Sequence, residues 1–275
     1  MTMPSEDPAS EPAVSIPAAL YHVFPRGNLV LRAADPTEPP ALLGMDVPER
    51  VVLLQLTDLT PTMEPLADWG EGLAIDLVMT DPAAELPFLY RCTGLLARHP
   101  VRVTVPLLPG VSRAVKLAVS LGFAVRLSGH QPTPETVEEA RHALDGYLHN
   151  PTVSQPVEPF HGLLLAFLHD SPLSLWSLLE RDPERMRVFD DSGKELSNLG
   201  PASVTAFHDA LVAAGAECRG CEWLSVCGGY FKWPRTDYGC TGVKRLVADV
   251  HAAAAELQRG LADYNASRGG ASHGI

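Results

Sequence analysis

Cys218, Cys221, Cys227 and Cys240 fall within 23 residues in a C-x2-C-x5-C-x12-C spacing. Four soft thiolates so close in sequence can converge on one metal centre, and Gly220, Gly228, Gly229 and Gly239 let the backbone turn tightly around it. Read instead as buried free thiols packing like small hydrophobes, the four would leave their chelating spacing unexplained. Structural zinc commonly takes two C-x2-C knuckles. Here one knuckle precedes two isolated cysteines, an asymmetric wrapping that favours an iron–sulfur cluster and keeps zinc as the alternative. Trp223, Tyr230, Phe231, Trp233 and Tyr238 stand where they can shield such a centre from water and tune its potential.

The other chemistry-bearing residues form weaker patterns. None of the ten histidines sits in an H-E-x-x-H or H-x-E arrangement, and His99, His142, His161 and His169 read as surface or satisfied core side chains. Ser112, Ser120 and Ser128 lack the setting of a hydrolase nucleophile. Leu107-Leu-Pro-Gly110-Val-Ser112 opens a helix after a strand and is a weak anion cradle. Asp58, Glu64, Asp68, Asp76, Asp81 and Glu85 gather near the C-terminal ends of the early strands, where α/β folds keep their sites. Ordinary loop solvation competes there with a surface for a basic peptide, and is the favoured reading. Cys92, on an apolar helical face, reads as a packed core thiol.

The elements that must position the cysteines follow from hydrophobic periodicity. Apolar runs at Asn28–Arg32, Val51–Leu56, Leu73–Met79, Val101–Leu107 and Phe123–Leu127 read as strands. Helical spacing marks Leu86–Arg98, Ser112–Leu121 and Thr133–His149, the last opened by a capping signal at Thr133-Pro-Glu-Thr136. Such alternation predicts parallel strands, as an open α/β sheet or a partial barrel over about residues 45–150. Leu163–Trp176 is a buried helix or a strand–helix pair, Arg187–Leu196 a hairpin, and Pro201–Ala214 and Gly242–Tyr264 are helices.

The chain has 275 residues, 33 acidic against 21 basic side chains and a net charge of −12, which argues against a nucleic-acid backbone as partner. Neither a basic-then-apolar leader nor a span of ~20 apolar residues is found, so neither export nor a membrane is expected. Clustered cysteines without an export signal place the protein in a reducing cytoplasm.

The cysteine segment resembles the SPASM domain, the C-terminal auxiliary-cluster module of radical S-adenosylmethionine enzymes that modify peptides and proteins. Cys218, Cys221 and Cys227 match its C-x2-C-x5-C stretch, Gly228-Gly229 follows as in the family, and Cys240 stands where a later cysteine completes the outer cluster. Phe231 occupies the position of a further cysteine that serves the inner cluster, so the resemblance implies one [4Fe–4S] cluster rather than two. The N-terminal half resembles the family's partial barrel in element order. Thr60, Glu64 and Ala67 stand where its C-x3-C-x2-C loop would lie, and Met79-Thr-Asp-Pro82 stands where a Gly-Gly-Glu-Pro motif would follow. Cys92 is the sole cysteine among the first 217 residues, so the chain by itself lacks the three thiolates of an S-adenosylmethionine cluster. The resemblance thus implies a degenerate relative that neither uses S-adenosylmethionine nor acts as an independent radical enzyme.

The expected plan is a disordered tail over residues 1–17 and a partial (β/α) barrel-like domain over 18–180. A small SPASM-like domain with Cys218, Cys221, Cys227 and Cys240 and a C-terminal helix spans 181–265, and a flexible tail 266–275. The expected function is that of an accessory protein in peptide or natural-product modification, carrying electrons or holding a precursor peptide beside a companion enzyme. A zinc-stapled binding module, or an enzyme with a new site on the eroded barrel, are the alternatives.

Overall fold

The structure, a computed structural model, describes residues 12–197, 200–215 and 217–269. Eight strands form one sheet: β1 (Ala13–Pro17), β2 (Leu29–Ala33), β3 (Val51–Leu56), β4 (Ala74–Val78), β5 (Val101–Pro106), β6 (Ala124–Ser128), β7 (Val157–Glu158) and β8 (Met186–Val188). Every pairing is parallel and the order is β7-β6-β5-β4-β3-β2-β1-β8. The fold is α/β, with the sheet curled into a half-barrel.

The curl follows from what the two faces carry. Period-2 alternation sends Ile16, Leu29, Leu31, Leu54, Leu56, Ile75, Leu77, Val103, Val105 and Val125 into one buried apolar core against the helices. Open doubly wound sheets are apolar on both faces, whereas here the other face bears Ser15, Arg32, Gln55, Asp76, Arg102, Thr104 and Arg126. A one-sided sheet wraps that polar face into a lumen. The crossover helices include α3 (Leu86–Cys92), α4 (Val111–Ser120) and α5 (Pro134–His149), with α1 (Glu38–Leu43) and α2 (Glu64–Ala67) earlier in the chain. At α5 the Thr133 side chain accepts the Thr136 N–H, the expected cap.

Four expectations are corrected. The tail expected over residues 1–17 is not one at its end: Ala13–Pro17 is β1, held between β2 and β8 with Ile16 fully buried, while residues 1–11 lie outside the described residues. The boundary expected at residue 180 does not separate two bodies, because β8 joins the barrel sheet after it. The Arg187–Leu196 hairpin keeps its turn, with Phe189 bridged to Glu195 and the Asp190 carboxylate accepting the Ser192 and Lys194 N–H groups. Its first arm belongs to β8, parallel to β1. The tail expected from 266 is not one at its start, since the last helix, α10 (Thr241–Gly269), runs through residues 266–269; residues 270–275 lie outside the described residues.

The apolar run at 163–176 resolves into α6 (Phe160–His169) and α7 (Leu175–Leu178), parted at Asp170, which adopts the left-handed conformation. The first turns of α10 pack on α5 and α6, which ties the cysteine region to the barrel. Among the described residues no helix is long and apolar enough to cross a membrane.

Candidate metal centre

Each cysteine is set by a short element between α8 (Val204–Ala213) and α10. Cys218 lies in a 3-10 turn over Glu217–Gly220, and the Cys221 N–H donates to its carbonyl at 3.0 Å, which closes the C-x2-C knuckle. Cys227 ends the single-turn helix α9 (Leu224–Cys227). Cys240 immediately precedes α10, with its carbonyl accepting the Lys244 N–H at 2.9 Å. That places its sulfur at the positive end of a 29-residue helix, where an anion is favoured.

All four cysteines line one small cavity, together with Trp223, Leu224, Phe231, Lys232, Val243 and Lys244. No disulfide links them. Among the described residues, no group of three or more His, Cys, Asp or Glu is placed to hold a single metal ion. The donor chemistry nevertheless fits a thiolate-held centre, because four free thiols line one largely apolar space that also takes Lys232 and Lys244.

The glycine pair after Cys227 has a steric cause. Gly228 and Gly229 both have positive φ, and a Cβ on Gly229 would come within 2.5 Å of the Leu211 side chain. The Gly228 carbonyl accepts the Trp176 indole N–H at 3.0 Å, so the loop is pinned to α7 of the barrel. Burial pushes the Cys227 thiol up, although the N–H groups of Phe231, Gly229 and Tyr230 act to favour its thiolate.

A charged clasp braces the two ends of the loop. The Glu217 carboxylate takes the Cys240 N–H at 2.9 Å, the buried Lys232 ammonium at 2.9 Å and Lys244 at 3.4 Å. Partial burial opposes its charge, yet the hydrogen bonds from Lys232 and Cys240 hold the carboxyl down at about 2. Lys232 also donates to the Tyr238 carbonyl. Replacing Glu217 with Gln is expected to shorten the lifetime of a bound centre severalfold under chelator challenge, with little change in the far-ultraviolet circular dichroism. Decay kinetics matching the wild type would show the clasp to be dispensable.

Of the aromatics expected as a shield, Trp223 and Phe231 line the cavity. The others brace the loop against the barrel and α8. Tyr230 packs on Trp176, Trp233 packs on Phe207, and the Tyr238 hydroxyl donates to the Pro132 carbonyl at 2.8 Å. Cys92 lines no part of this cavity. It is fully buried, and burial raises its thiol to about 11, in keeping with a packed core residue.

The strand-end carboxylates do not assemble into one site. Asp58 and Asp81 accept nearby backbone N–H groups of their own turns, Glu85 takes the Thr80 N–H and hydroxyl, and exposed Asp68 pairs with Arg98. Loop solvation therefore accounts for them, with Asp76 as the exception described below. The anion cradle at Gly110–Ser112 is filled from within, since the Glu139 carboxylate takes the Gly110 and Ser112 N–H groups. His99 is a satisfied core side chain, its ring nitrogens set against the Leu73 and Leu66 carbonyls.

The lumen of the half-barrel holds a network that strand patterning alone did not single out. Asp76 is fully buried and accepts from Thr104, Gln55, Arg102 and Arg126. Glu180 bridges the same two arginines from the loop after α7. Glu180 has φ 55°, at the position after a helix end where glycine is usual, with the following Arg181 N–H donating to the Trp176 carbonyl. A non-glycine residue there costs about 1–3 kcal/mol, which marks its carboxylate as the reason it is kept. The signal open to sequence reading was a polar residue in the middle of nearly every apolar strand.

His130 sits between this lumen and the cysteine loop, tilted against Tyr230 with ring centroids 4.3 Å apart. Burial and then the Arg181 charge lower its imidazole to about 4. The unfolded chain binds a proton there below about 6.5 that the folded chain refuses, so this contribution is present above 6.5 and is lost as the pH falls toward 4. Across that window His130 is expected to account for roughly 2–3 kcal/mol of lost stability. Denaturant melts of His130→Gln should be correspondingly flatter between those pH values, and parallel curves would refute the assignment.

No protein-family model matches the chain, and no curated protein matches its sequence.

Proposed function

We propose that the chain is an iron–sulfur protein that holds one [4Fe–4S] cluster on Cys218, Cys221, Cys227 and Cys240, on a half-barrel related to those of radical S-adenosylmethionine enzymes. The observation that carries this reading is that all four cysteines of the asymmetric motif line one cavity. Its C-x2-C-x5-C opening and following Gly-Gly resemble a SPASM domain. The parallel half-barrel ahead of it is compatible with the same ancestry.

The cluster would supply one-electron chemistry or a structural bond network. The chain's own residues do the rest. Backbone N–H groups facing Cys227, the helix N-terminus at Cys240 and the Lys232 and Lys244 ammoniums favour the anionic thiolates, and Trp223 and Phe231 limit water at the cavity wall. With no cysteine at positions 60, 64 or 67, the chain acts as an accessory subunit to a companion enzyme, carrying electrons or holding a peptide in natural-product modification.

The decisive experiment is iron, zinc and acid-labile sulfide analysis of protein purified without oxygen. About four irons and four sulfides per chain, with broad absorption near ~400 nm lost in Cys218→Ala, is the expected result. One zinc and no sulfide would replace this reading with a structural staple.

A further inference from the structure

We propose that the lumen of the half-barrel is a binding site for a small organic anion, gripped through its carboxylate or phosphate oxygens by Arg181 and Arg32. The lumen opens as a cavity of about 300 Å³ lined by Ser15, Arg32, Gln55, Arg126, Glu180 and Arg181 among others, with Thr57, Val78 and Ser128 at the C-terminal ends of their strands. Parallel α/β sheets place ligands at that end. That size is at the lower end of the range of small-molecule sites.

The charge balance selects the ligand. Asp76 and Glu180 are matched by Arg102 and Arg126 in four ion pairs, so that quartet is neutral. Two cations remain. Arg32 donates to the Ser15 hydroxyl and the Phe189 carbonyl and forms no salt bridge among the described residues, although the Asp191 and Asp190 charges act on it from the neighbouring turn. Arg181 has no side-chain hydrogen bond or ion pair among the described residues, and the strained turn at Glu180 projects it along the cavity wall. Arg181 thus stands on the cavity wall without an ion-pair partner among the described residues, with Arg32 on the same wall. Guanidinium is also the side chain whose fork fits carboxylate and phosphate oxygens.

No cysteine lines this cavity, so the assignment does not depend on what the cysteines hold.

The test is isothermal titration calorimetry at low salt on the full chain as purified, with succinate and inorganic phosphate as probes and neutral succinamide as the control. Saturable binding of either anion, absent for succinamide, is expected. Arg181→Met should weaken it about 10- to 100-fold, as loss of a charge-assisted hydrogen bond does, with an unchanged melting temperature. Thr57→Trp, at an exposed position on the rim, should block it sterically. Succinate binding alone would assign the site to carboxylates, phosphate binding alone to phosphorylated ligands, and both would support the proposal. Absence of saturable binding by either anion, or equal affinity in Arg181→Met and Arg32→Met, would overturn it. Metal-free protein answers the question equally, so failure of the cluster reading would leave this result legible.

Discussion

Replacing Asp76 with asparagine is expected to destabilise the fold by about 3–5 kcal/mol at neutral pH, the effect of removing one partner from a buried ion-pair network. Asp76 is fully buried, and both its oxygens are engaged. The amide keeps the shape but leaves Arg102 and Arg126 with Glu180 as their sole carboxylate, and one of its hydrogens faces guanidinium donors. For a domain of this size the melting temperature should fall by roughly 10 °C. The pH dependence identifies the cause. Burial raises the Asp76 carboxyl, but the Arg126 and Arg102 charges and the Thr104 hydroxyl outweigh it and hold it below the ordinary range. A depressed carboxylate stabilises above its unfolded value, near 4, and that contribution is lost as the pH falls through the folded one. The gap between wild type and Asp76→Asn should therefore be full at pH 7 and narrow below about 4. A constant gap would indicate a packing defect instead.

Trp176→Ala carries the second large expectation. Its side chain is fully buried on α7 between Tyr230, Phe207 and His130, and truncating a buried tryptophan costs about 3–5 kcal/mol. The same indole holds the Gly228 carbonyl, one residue beyond Cys227. The variant should unfold earlier and, where the cysteines hold the proposed centre, should release it more easily. Trp176→Phe separates the two effects: it retains most of the packing while losing the hydrogen bond, and should recover most of the stability and less of the metal retention. Equal recovery of both would mean that the indole N–H has no part in holding the loop.

The sequence reading succeeded where one signal dominated. Val51–Leu56 was recovered to the residue and Thr133–His149 nearly so, because apolar periodicity and a Thr cap left few alternatives. It missed β1 because three prolines lie ahead of Ile16, and what makes Ala13–Pro17 a strand is pairing on both sides with segments distant in the chain. It missed β7, since two residues carry no period. The cysteine positions were legible from spacing alone. Glu217, Lys232 and Lys244 were not, because a clasp made by residues 15 and 12 apart has no local pattern. The lumen was obscured for a related reason: strands were recognised by their apolar residues, and the polar ones between them formed a site only once the sheet curled. Asp76 was noticed with its neighbours as one of several exposed acids, but burial set it apart.

The return of β8 to the outer edge of β1 has a consequence for synthesis. During synthesis β1 is made well before β8, and must wait until residue 188 before its second neighbour exists. Until then β1 presents an unpaired row of amides, open to any other strand. Chains released before Met186 should therefore aggregate, while those ending just after Val188 should be markedly more soluble even without the cysteine loop.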